Sequence, residues 1–226
     1  MEITYYGHAC FMLSAAGKQL LFDPFISGNE QAKDIDISAI KPDYILLSHA
    51  HFDHISDVVQ IQKQSGAKLI ANWEITSYFG QQGLPGHPMN IGGSWKFSFG
   101  KVSMTYAQHS SSFADGSYGG NPCGFVIEAE GKSIYYTGDT ALFSDMKLIA
   151  EKFRPEFSIL CMGDNFTMGP EDALQAAAWL GAKTVIGVHY DTFPYIVIDQ
   201  AKTKQAFEDK GFRLKLLAIG ETMPLG

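Results

Sequence analysis

The sequence has few cysteines and no sign of a disulfide framework. Cys10, Cys123 and Cys161 are its only three cysteines, and no two of them form a CxxC pair. An odd number of widely spaced cysteines argues against a disulfide-stabilised secreted domain and is typical of proteins in a reducing compartment. We therefore expect Cys10 and Cys161 to be core residues.

Long apolar runs and clusters of positive charge are also missing. No uninterrupted apolar stretch approaches the ~20 residues that a bilayer-spanning helix needs, and the start, MEITYYGHACF, lacks the features of a signal peptide. The formal net charge is -7, and Lys and Arg form no run. This balance disfavours a broad electrostatic grip on nucleic acid. The sequence therefore predicts a cytoplasmic protein that needs neither a membrane nor a nucleic-acid partner.

The overall composition is that of a folded globular protein. Hydrophobic residues make up 46% and charged residues 18% of the 226 residues, and we find no linker, repeat or low-complexity segment. A chain of this length can bury a large core. We therefore predict one domain over residues 1–226.

The apolar patterning predicts two β-rich halves, each covered by helices. The expected strands are 2–7, 10–17, 18–25, 42–48 and 67–72 in the first half, and 101–108, 123–131, 132–139, 157–164 and 183–190 in the second. Helices are expected at 55–66, 143–153 and 170–181, with glycine stops at Gly66 and Gly181. The glycine-rich stretches 80–93 and 115–124 predict irregular, mobile loops. Two such halves would pack as an α/β sandwich with its site along one edge.

Residues 48–56, SHAHFDHIS, concentrate metal-binding side chains directly after a predicted strand. His49 and His51 are two positions apart, so they converge on an extended or turning backbone and diverge on a helix. This spacing places the motif in the loop that leaves the strand. Asp53 and His54 are neighbours, which favours their serving a second point beside the first. The six positions from His49 to His54 can therefore supply two adjacent metal centres.

Three further polar residues stand where apolar strands are predicted to end. They are His109, Asp139 and His189. Ligands commonly bind at the carboxyl ends of strands, and a hydrolytic zinc site takes three protein ligands with one position left for water. These three residues are therefore candidates to complete the ligand set.

The ordered set of motifs resembles the ligand signature of the metallo-β-lactamase superfamily. The signature is carried by HAHFDH, then His109, then TGDT with Asp139, then His189. The segments GHACF, LFDPF, MGDNFTMGPEDA and HYDTFPYI further resemble a branch of metal-dependent hydrolases related to the ascorbate-6-phosphate lactonases. The resemblance implies a four-layer αββα sandwich with the metal site at one edge of the β-sandwich.

The resemblance also implies two divalent metal ions. His49, His51 and His109 would hold the first, Asp53, His54 and His189 the second, and Asp139 would bridge them. Zinc is the expected metal, with Mn²⁺, Fe²⁺ and Ni²⁺ as alternatives. Such a pair activates water for attack on a small-molecule ester, whether a phosphoester, a lactone or a thioester.

Three residues are expected to take part in catalysis: Asp53, Asp139 and His8. For His8 the sequence leaves two interpretations open. It can assist substrate or hold a metal ligand in place, or it can be a structural histidine. Asp23 is expected to fix the histidine loop by hydrogen bonds, Thr140 to orient Asp139, and His87 to lie outside the ligand set.

The sequence is also compatible with other functions. The chain can be a nuclease or phosphodiesterase that acts on nucleic acid, or a metal-binding protein without catalysis. Hydrolysis of β-lactams is not expected, because the remaining motifs point to another branch. The sequence is compatible with a homo-oligomer and does not identify the substrate.

Overall fold

The computed structural model describes residues 1–226, which form fourteen strands and six α-helices. The elements up to the middle of the chain are β1 (Glu2–Gly7), β2 (Cys10–Ala15), β3 (Lys18–Phe22), β4 (Tyr44–Leu46), α1 (Phe52–Ile55), α2 (Val58–Ser65), β5 (Lys68–Asn72), α3 (Trp73–Gly80) and β6 (Gly86–Met89). The later elements are β7 (Ser94–Phe97), β8 (Gly100–Tyr106), β9 (Cys123–Ala129), β10 (Lys132–Tyr136), α4 (Met146–Phe153), β11 (Phe157–Cys161), α5 (Pro170–Leu180), β12 (Thr184–Val188), α6 (Gln200–Asp209), β13 (Arg213–Lys215) and β14 (Thr222–Pro224). Short 3₁₀ turns lie at Glu30–Ala32, Ile37–Ala39 and Pro194–Ile196.

The strands form two seven-stranded sheets of matching design. The first has the order β14-β1-β2-β3-β4-β5-β6, and the second has the order β13-β12-β11-β10-β9-β8-β7. In each sheet three consecutive pairs are antiparallel and three are parallel. The predicted likeness of the two halves is thus confirmed, except that the last strand, β14, joins the first sheet beside β1.

Three apolar layers hold the sheets and helices together. The largest lies between the sheets, and the other two lie between each sheet and its own helices. Strand β10 shows how the sequence builds them: Ile134 and Tyr136 point into the central layer, whereas Tyr135 points toward the helices. Strands buried on both faces read as continuous apolar runs. The result is the predicted four-layer αββα sandwich.

Two of the predicted helices end where the sequence indicated. The backbone of Gly66 after α2 has φ 72°, and that of Gly181 after α5 has φ 76°. Both lie in the left-handed region that glycine enters without steric cost. Pro170 occupies the first turn of α5, where its missing N–H is not needed. No helix in the structure combines the length and apolar character needed to span a bilayer.

Two predictions of local structure were wrong. The helix expected over 55–66 begins only at Val58, and a separate short helix, α1, carries Asp53 and His54, which were expected in the loop. The stretch 80–93, expected to be irregular, contains β6, whose proline at position 88 fits an edge strand. The helices α3 and α6 and the strands β7, β13 and β14 had not been predicted.

Candidate metal centre

The candidate ligands meet at one edge of the sandwich, at the ends of strands from both sheets. His49 follows β4, His109 follows β8, Asp139 follows β10 and His189 follows β12. β10 and β12 both run parallel to β11, and β8 runs in the same direction because β8 and β10 are both antiparallel to β9. Strands that run in one direction end at the same edge of a sheet, which is why residues so distant in sequence come together. His8, in the turn between β1 and β2, reaches the same edge, and its carbonyl accepts a hydrogen bond from the His189 amide at 2.7 Å.

All seven predicted ligands fall into groups whose donor atoms lie within 4.8 Å of one another. The groups are His49, His51 and His109; His8, Asp53, His54 and His189; and His49, His54 and Asp139. The first group is the set predicted for one metal, and the second contains the set predicted for the other. The third group links them through Asp139. The structure also adds His8, which the sequence did not place among the ligands.

The Oδ2 oxygen of Asp139 is the point on which the imidazoles converge. Its distance from the Nε2 atom is 2.9 Å for His189, 3.3 Å for His54, 3.8 Å for His109 and 3.9 Å for His49. The Asp139 side chain is almost fully buried. One carboxylate oxygen surrounded by four ring nitrogens is the arrangement expected of a ligand shared by two sites.

Asp23 and Ser48 fix which nitrogen of two histidines faces this centre. His54 Nδ1 lies 3.0 Å from Asp23 Oδ2, and a carboxylate accepts only, so Nδ1 carries the proton. Ser48 Oγ donates to Asp23 at 2.6 Å and therefore accepts from His49 Nδ1 at 2.9 Å. In the neutral form that binds a metal ion, each ring presents the lone pair of its Nε2 atom to the centre. Asp23 thus fixes the histidine loop, as predicted.

His51 faces the centre with its Nδ1 atom, whereas His49 and His54 face it with Nε2. The His51 Nδ1 atom lies 3.0 Å from His49 Nε2, while the His51 Nε2 atom lies 3.3 Å from Ser110 Oγ. Because His49 Nε2 carries no proton in the tautomer set by Ser48, two nitrogen atoms of adjacent rings converge on one point. A cation at that point would be bound by both.

Burial keeps several of these imidazoles neutral. It lowers the pKa of His49, His51 and His109, and the neighbouring histidines lower it further. A neutral imidazole is the form that binds a metal ion. The rings that would hold the first metal are therefore in the required protonation state.

The carboxylates at the centre are ionised, and their negative charge favours a nearby cation. Burial alone would raise the pKa of Asp139, but His189 and His54 outweigh it and hold that pKa well below its usual range. Burial alone would lower the pKa of His54, but the Asp139 and Asp53 carboxylates outweigh it and raise that pKa. The group is thus built around ionised carboxylates that a cation would balance.

The donor set fits divalent metal ions. His54 Nε2 and Asp139 Oδ1 are buried and have no hydrogen-bond partner, a state that costs about 1–3 kcal/mol for each uncompensated group. Two nitrogens bound at about 2.0–2.1 Å to a tetrahedral zinc ion lie about 3.3 Å apart. The donor distances of 2.9–3.9 Å around Asp139 Oδ2 bracket that value. Imidazole with carboxylate is the combination that zinc-like ions select.

One prediction for this region was wrong and one agrees with the structure. Thr140 does not orient Asp139: its hydroxyl accepts from the Gln108 amide at 2.9 Å and donates to the Ala141 carbonyl at 2.7 Å. His87 lies on β6 beside Trp95, with ring centroids 5.0 Å apart, and belongs to none of the ligand groups.

The sequence predicted the support from Asp23 but not that from Ser48, Tyr136 and Asp57. The Tyr136 hydroxyl donates to Asp23 at 2.6 Å, and Asp57 accepts from the Ile26 amide at 2.5 Å. Their only signal was a position beside the histidine cluster or at the end of a strand.

Comparison with known proteins places this geometry in a group of related chains. A sequence profile described as the Beta-lactamase superfamily domain matches residues 18–190. A protein of Flavobacterium johnsoniae, named as a UPF0173 metal-dependent hydrolase, is 53% identical over 225 residues, with full coverage of both chains. The solved structure of a metallo hydrolase from the hyperthermophilic archaeon Ignicoccus hospitalis is 35% identical, has a TM-score of 0.90, and is matched over 98% of this chain and 97% of that one.

A more distant solved structure shares the fold. It is described as an isothiocyanate hydrolase from Delia radicum gut bacteria and is 23% identical, with a TM-score of 0.79 over 100% of this chain and 99% of that one. The identity is too low to carry more than the architecture. The αββα sandwich is thus found across chains with little remaining sequence similarity.

Proposed function

Because this chain belongs to the β-lactamase superfamily, within its UPF0173 family of metal-dependent hydrolases, we propose that it hydrolyses a small-molecule ester at a centre of two divalent metal ions. The observation that carries the proposal is the convergence of four imidazoles on Asp139 Oδ2, at 2.9–3.9 Å. His49, His51 and His109 would hold one ion, Asp53, His54 and His189 the other, and Asp139 would bridge them. Zinc is the metal that this donor set suits best.

A bound pair of such ions supplies a water molecule of lowered pKa and polarises the oxygen of the group under attack. The protein's own contribution is to fix the orientation of the metal ligands. Asp23 fixes His54, Ser48 fixes His49, and His8 fixes Asp53, each through a hydrogen bond of 2.9–3.0 Å. Supporting contacts of this kind determine the tautomer and ring orientation of metal ligands.

His8 is best interpreted as a residue that positions Asp53. Its Nε2 atom lies 2.9 Å from Asp53 Oδ2 and its Nδ1 atom 3.0 Å from Thr192 Oγ1. Both ring nitrogens are therefore engaged, and neither is free to donate to a substrate. This arrangement supports the interpretation that His8 holds a metal ligand in place.

Asp53 and Asp139 are the groups that can receive a proton during hydrolysis. Asp53 is partly exposed, whereas Asp139 is almost fully buried. An accessible carboxylate beside the attacked group can accept a proton from water and return it to the leaving group. We therefore assign proton transfer to Asp53 and charge balance between the ions to Asp139.

The test is turnover after metal removal and restoration. The protein is stripped with a chelator, loaded separately with Zn²⁺, Mn²⁺, Fe²⁺ or Ni²⁺, and assayed on a panel of phosphodiesters, lactones and thioesters. We expect hydrolysis of at least one class that is lost on stripping and returns with metal. Normal metal loading with no turnover of any class would favour a metal-binding protein without catalysis.

A further inference from the structure

Exposed aromatic side chains stand beside the metal centre, where solvent-facing residues are usually polar. Phe52 precedes Asp53 on α1 and is 61% exposed. Phe166 is 53% exposed and Tyr195 is 74% exposed, and their rings lie 6.3 Å apart. Contiguous exposed apolar residues commonly mark a binding site.

Packing contacts attach these aromatic residues to the centre itself. The Phe52 ring lies 5.8 Å from that of Phe25, which in turn lies 5.5 Å from the His8 ring. Phe193, two residues before Tyr195, lies 5.4 Å from the His8 ring and 6.1 Å from the Phe25 ring. These contacts connect Phe52 and Phe193 to the centre through Phe25 and His8.

The loop that carries Phe166 is attached to the same edge. The Met168 amide donates to the Thr140 carbonyl at 2.8 Å, directly after Asp139. Phe166 and Tyr195 therefore belong to loops that are each held beside a candidate metal ligand. We call Phe52, Phe166, Phe193 and Tyr195 the aromatic rim.

The segments that frame the centre contain no cationic side chain. Neither Lys nor Arg occurs in residues 5–10, 22–29, 47–57, 107–121, 137–145, 162–169 or 188–199. Lys202 lines a neighbouring groove of about 450 Å³, but four carboxylates share that groove: Asp164, Glu171, Asp172 and Asp199. Phosphate and carboxylate groups are normally recognised by Arg or Lys. These segments therefore offer an anionic substrate no Arg or Lys partner.

We propose, building on the hydrolase function above, that the substrate is an uncharged carboxylic ester, thioester or lactone whose apolar acyl or aryl group packs on the aromatic rim. Water adds to the acyl carbon, the carbon–oxygen or carbon–sulfur bond breaks, and the carboxylic acid forms. The alcohol or thiol takes up a proton and leaves, or, from a lactone, stays in the same molecule as the hydroxyl of a hydroxy acid. Sugar phosphates and nucleic acids, which carry charge next to the reacting group, are excluded as preferred substrates.

Binding tests the proposal without relying on turnover. Acetohydroxamic and octanohydroxamic acid share one metal-binding head and differ only in the apolar tail. Their affinities for the zinc-loaded protein are measured by calorimetry. Burying one methylene group strengthens binding about four-fold, so we expect the longer acid to bind at least about ten-fold more tightly.

Variants of the aromatic rim test whether the apolar tail of octanohydroxamic acid packs on it. Phe166→Ala with Tyr195→Ala, and Tyr195→Ala alone, remove exposed side chains and should reduce the ratio of the two affinities toward one. The matched control is Trp95→Ala, because Trp95 is also exposed (54%) but lies on β7, outside every segment that frames the centre. It should keep the wild-type ratio. Hydrolysis of p-nitrophenyl acetate, p-nitrophenyl hexanoate and p-nitrophenyl phosphate should follow the same preference, with the hexanoate fastest and the phosphate slowest.

The outcomes separate the two proposals. If neither hydroxamate binds the zinc-loaded protein, the hydrolase proposal fails and this one fails with it. If the short acid binds and the tail adds nothing, or if the phosphate is the preferred substrate, only the aromatic-rim proposal is overturned. It is also overturned if the double variant keeps the wild-type ratio of affinities. If the wild type is an oligomer and that variant is a monomer, the aromatic rim covers a second copy of the chain.

Discussion

His8 Nε2 lies 2.9 Å from Asp53 Oδ2, so a hydrogen bond from an imidazole holds a candidate metal ligand in place. The carboxylate accepts only, which places the ring proton on Nε2 and leaves Nδ1 to accept from the Thr192 hydroxyl at 3.0 Å. Burial and the neighbouring His189 lower the pKa of His8 to about 3, so the ring is neutral at physiological pH. Asp53 therefore sets the tautomer of His8, and the Thr192 hydroxyl contacts the ring nitrogen that remains.

Replacing His8 by Ala should weaken metal binding and turnover together. Loss of a contact that supports a metal ligand typically costs 10–100-fold in affinity or activity. Metal affinity is measured by chelator competition, and turnover and melting temperature are measured on the same preparation. His8→Gln, which can still donate, should recover part of the loss. A His8→Ala protein that is less stable but keeps wild-type metal affinity and turnover per folded molecule would show a purely structural role.

Replacing Asp23 by Ala should be strongly destabilising. Its carboxylate accepts from the Ser48 amide and hydroxyl, His54 Nδ1 and the Tyr136 hydroxyl, at 2.6–3.0 Å, and it is fully buried. Loss of the acceptor leaves several buried donors unpaired, so we expect a loss of about 3 kcal/mol or more in the free energy of unfolding. Urea denaturation measures it.

The control for Asp23 is Asp43→Asn. Asp43 pairs with Lys18 at 2.7 Å on the surface, where both side chains are substantially exposed. Exposed ion pairs contribute about 0–1 kcal/mol, so this variant should unfold near the wild-type urea concentration. Equal losses for the two variants would contradict the importance assigned to Asp23.

Replacing Gly138 by Ala should disturb the loop that carries Asp139. The Gly138 backbone has φ 62°, and a Cβ there would collide with the Cys123 carbonyl oxygen and lie 2.9 Å from Ser48 Cβ. A side chain in this conformation is strained and has no space. We expect lower stability and reduced metal affinity, compared by melting and chelator competition with Gly131→Ala. The backbone of Gly131 has φ 76° but its Cβ would meet no atom within 4 Å. Identical behaviour of the two variants would show that the crowding at Gly138 is unimportant.

The three cysteines should be inert in the folded protein. Cys10, Cys123 and Cys161 are fully buried, and burial raises the pKa of each thiol, to about 12 for Cys161. The thiolate is the reactive form and appears only when the pH approaches the pKa, so the raised values keep all three protonated at pH 8. Titration with a thiol reagent at pH 8 should label none of them in the native protein and all three in urea. Rapid labelling without denaturant would contradict their placement in the core.

The sequence predicted the layers of the fold because apolar patterning determines them. Runs such as 132–139 and 157–164 are apolar on both faces, which indicated strands covered on both sides. The edge strand β6 was missed because its glycine and proline suggest a turn, and only its pairing with β5 makes it a strand. Strand β14, far from β1 in the chain, joins the first sheet through contacts that no local pattern encodes.

The candidate ligands were predictable because their chemistry is concentrated in a few residue types at strand ends. Of the supporting residues, only Asp23 was predicted as such, and His8 was left open. Thr140 was expected to orient Asp139 because it follows it in sequence, but its hydroxyl is engaged with Gln108 and Ala141. Thr192 lies 184 positions from His8, so their contact exists only in three dimensions.

The two-metal centre is tested most directly by counting the metal ions that each chain binds. The protein is purified without chelator, reconstituted with zinc and dialysed, and its zinc content is measured by elemental analysis beside Asp139→Ala. Removing a carboxylate shared by two cations should weaken one or both sites. We predict a value approaching two ions per chain for the wild type and one or fewer for a variant that remains folded by circular dichroism. Absence of bound divalent metal in the wild type, or two ions in both proteins, would contradict the bridged centre.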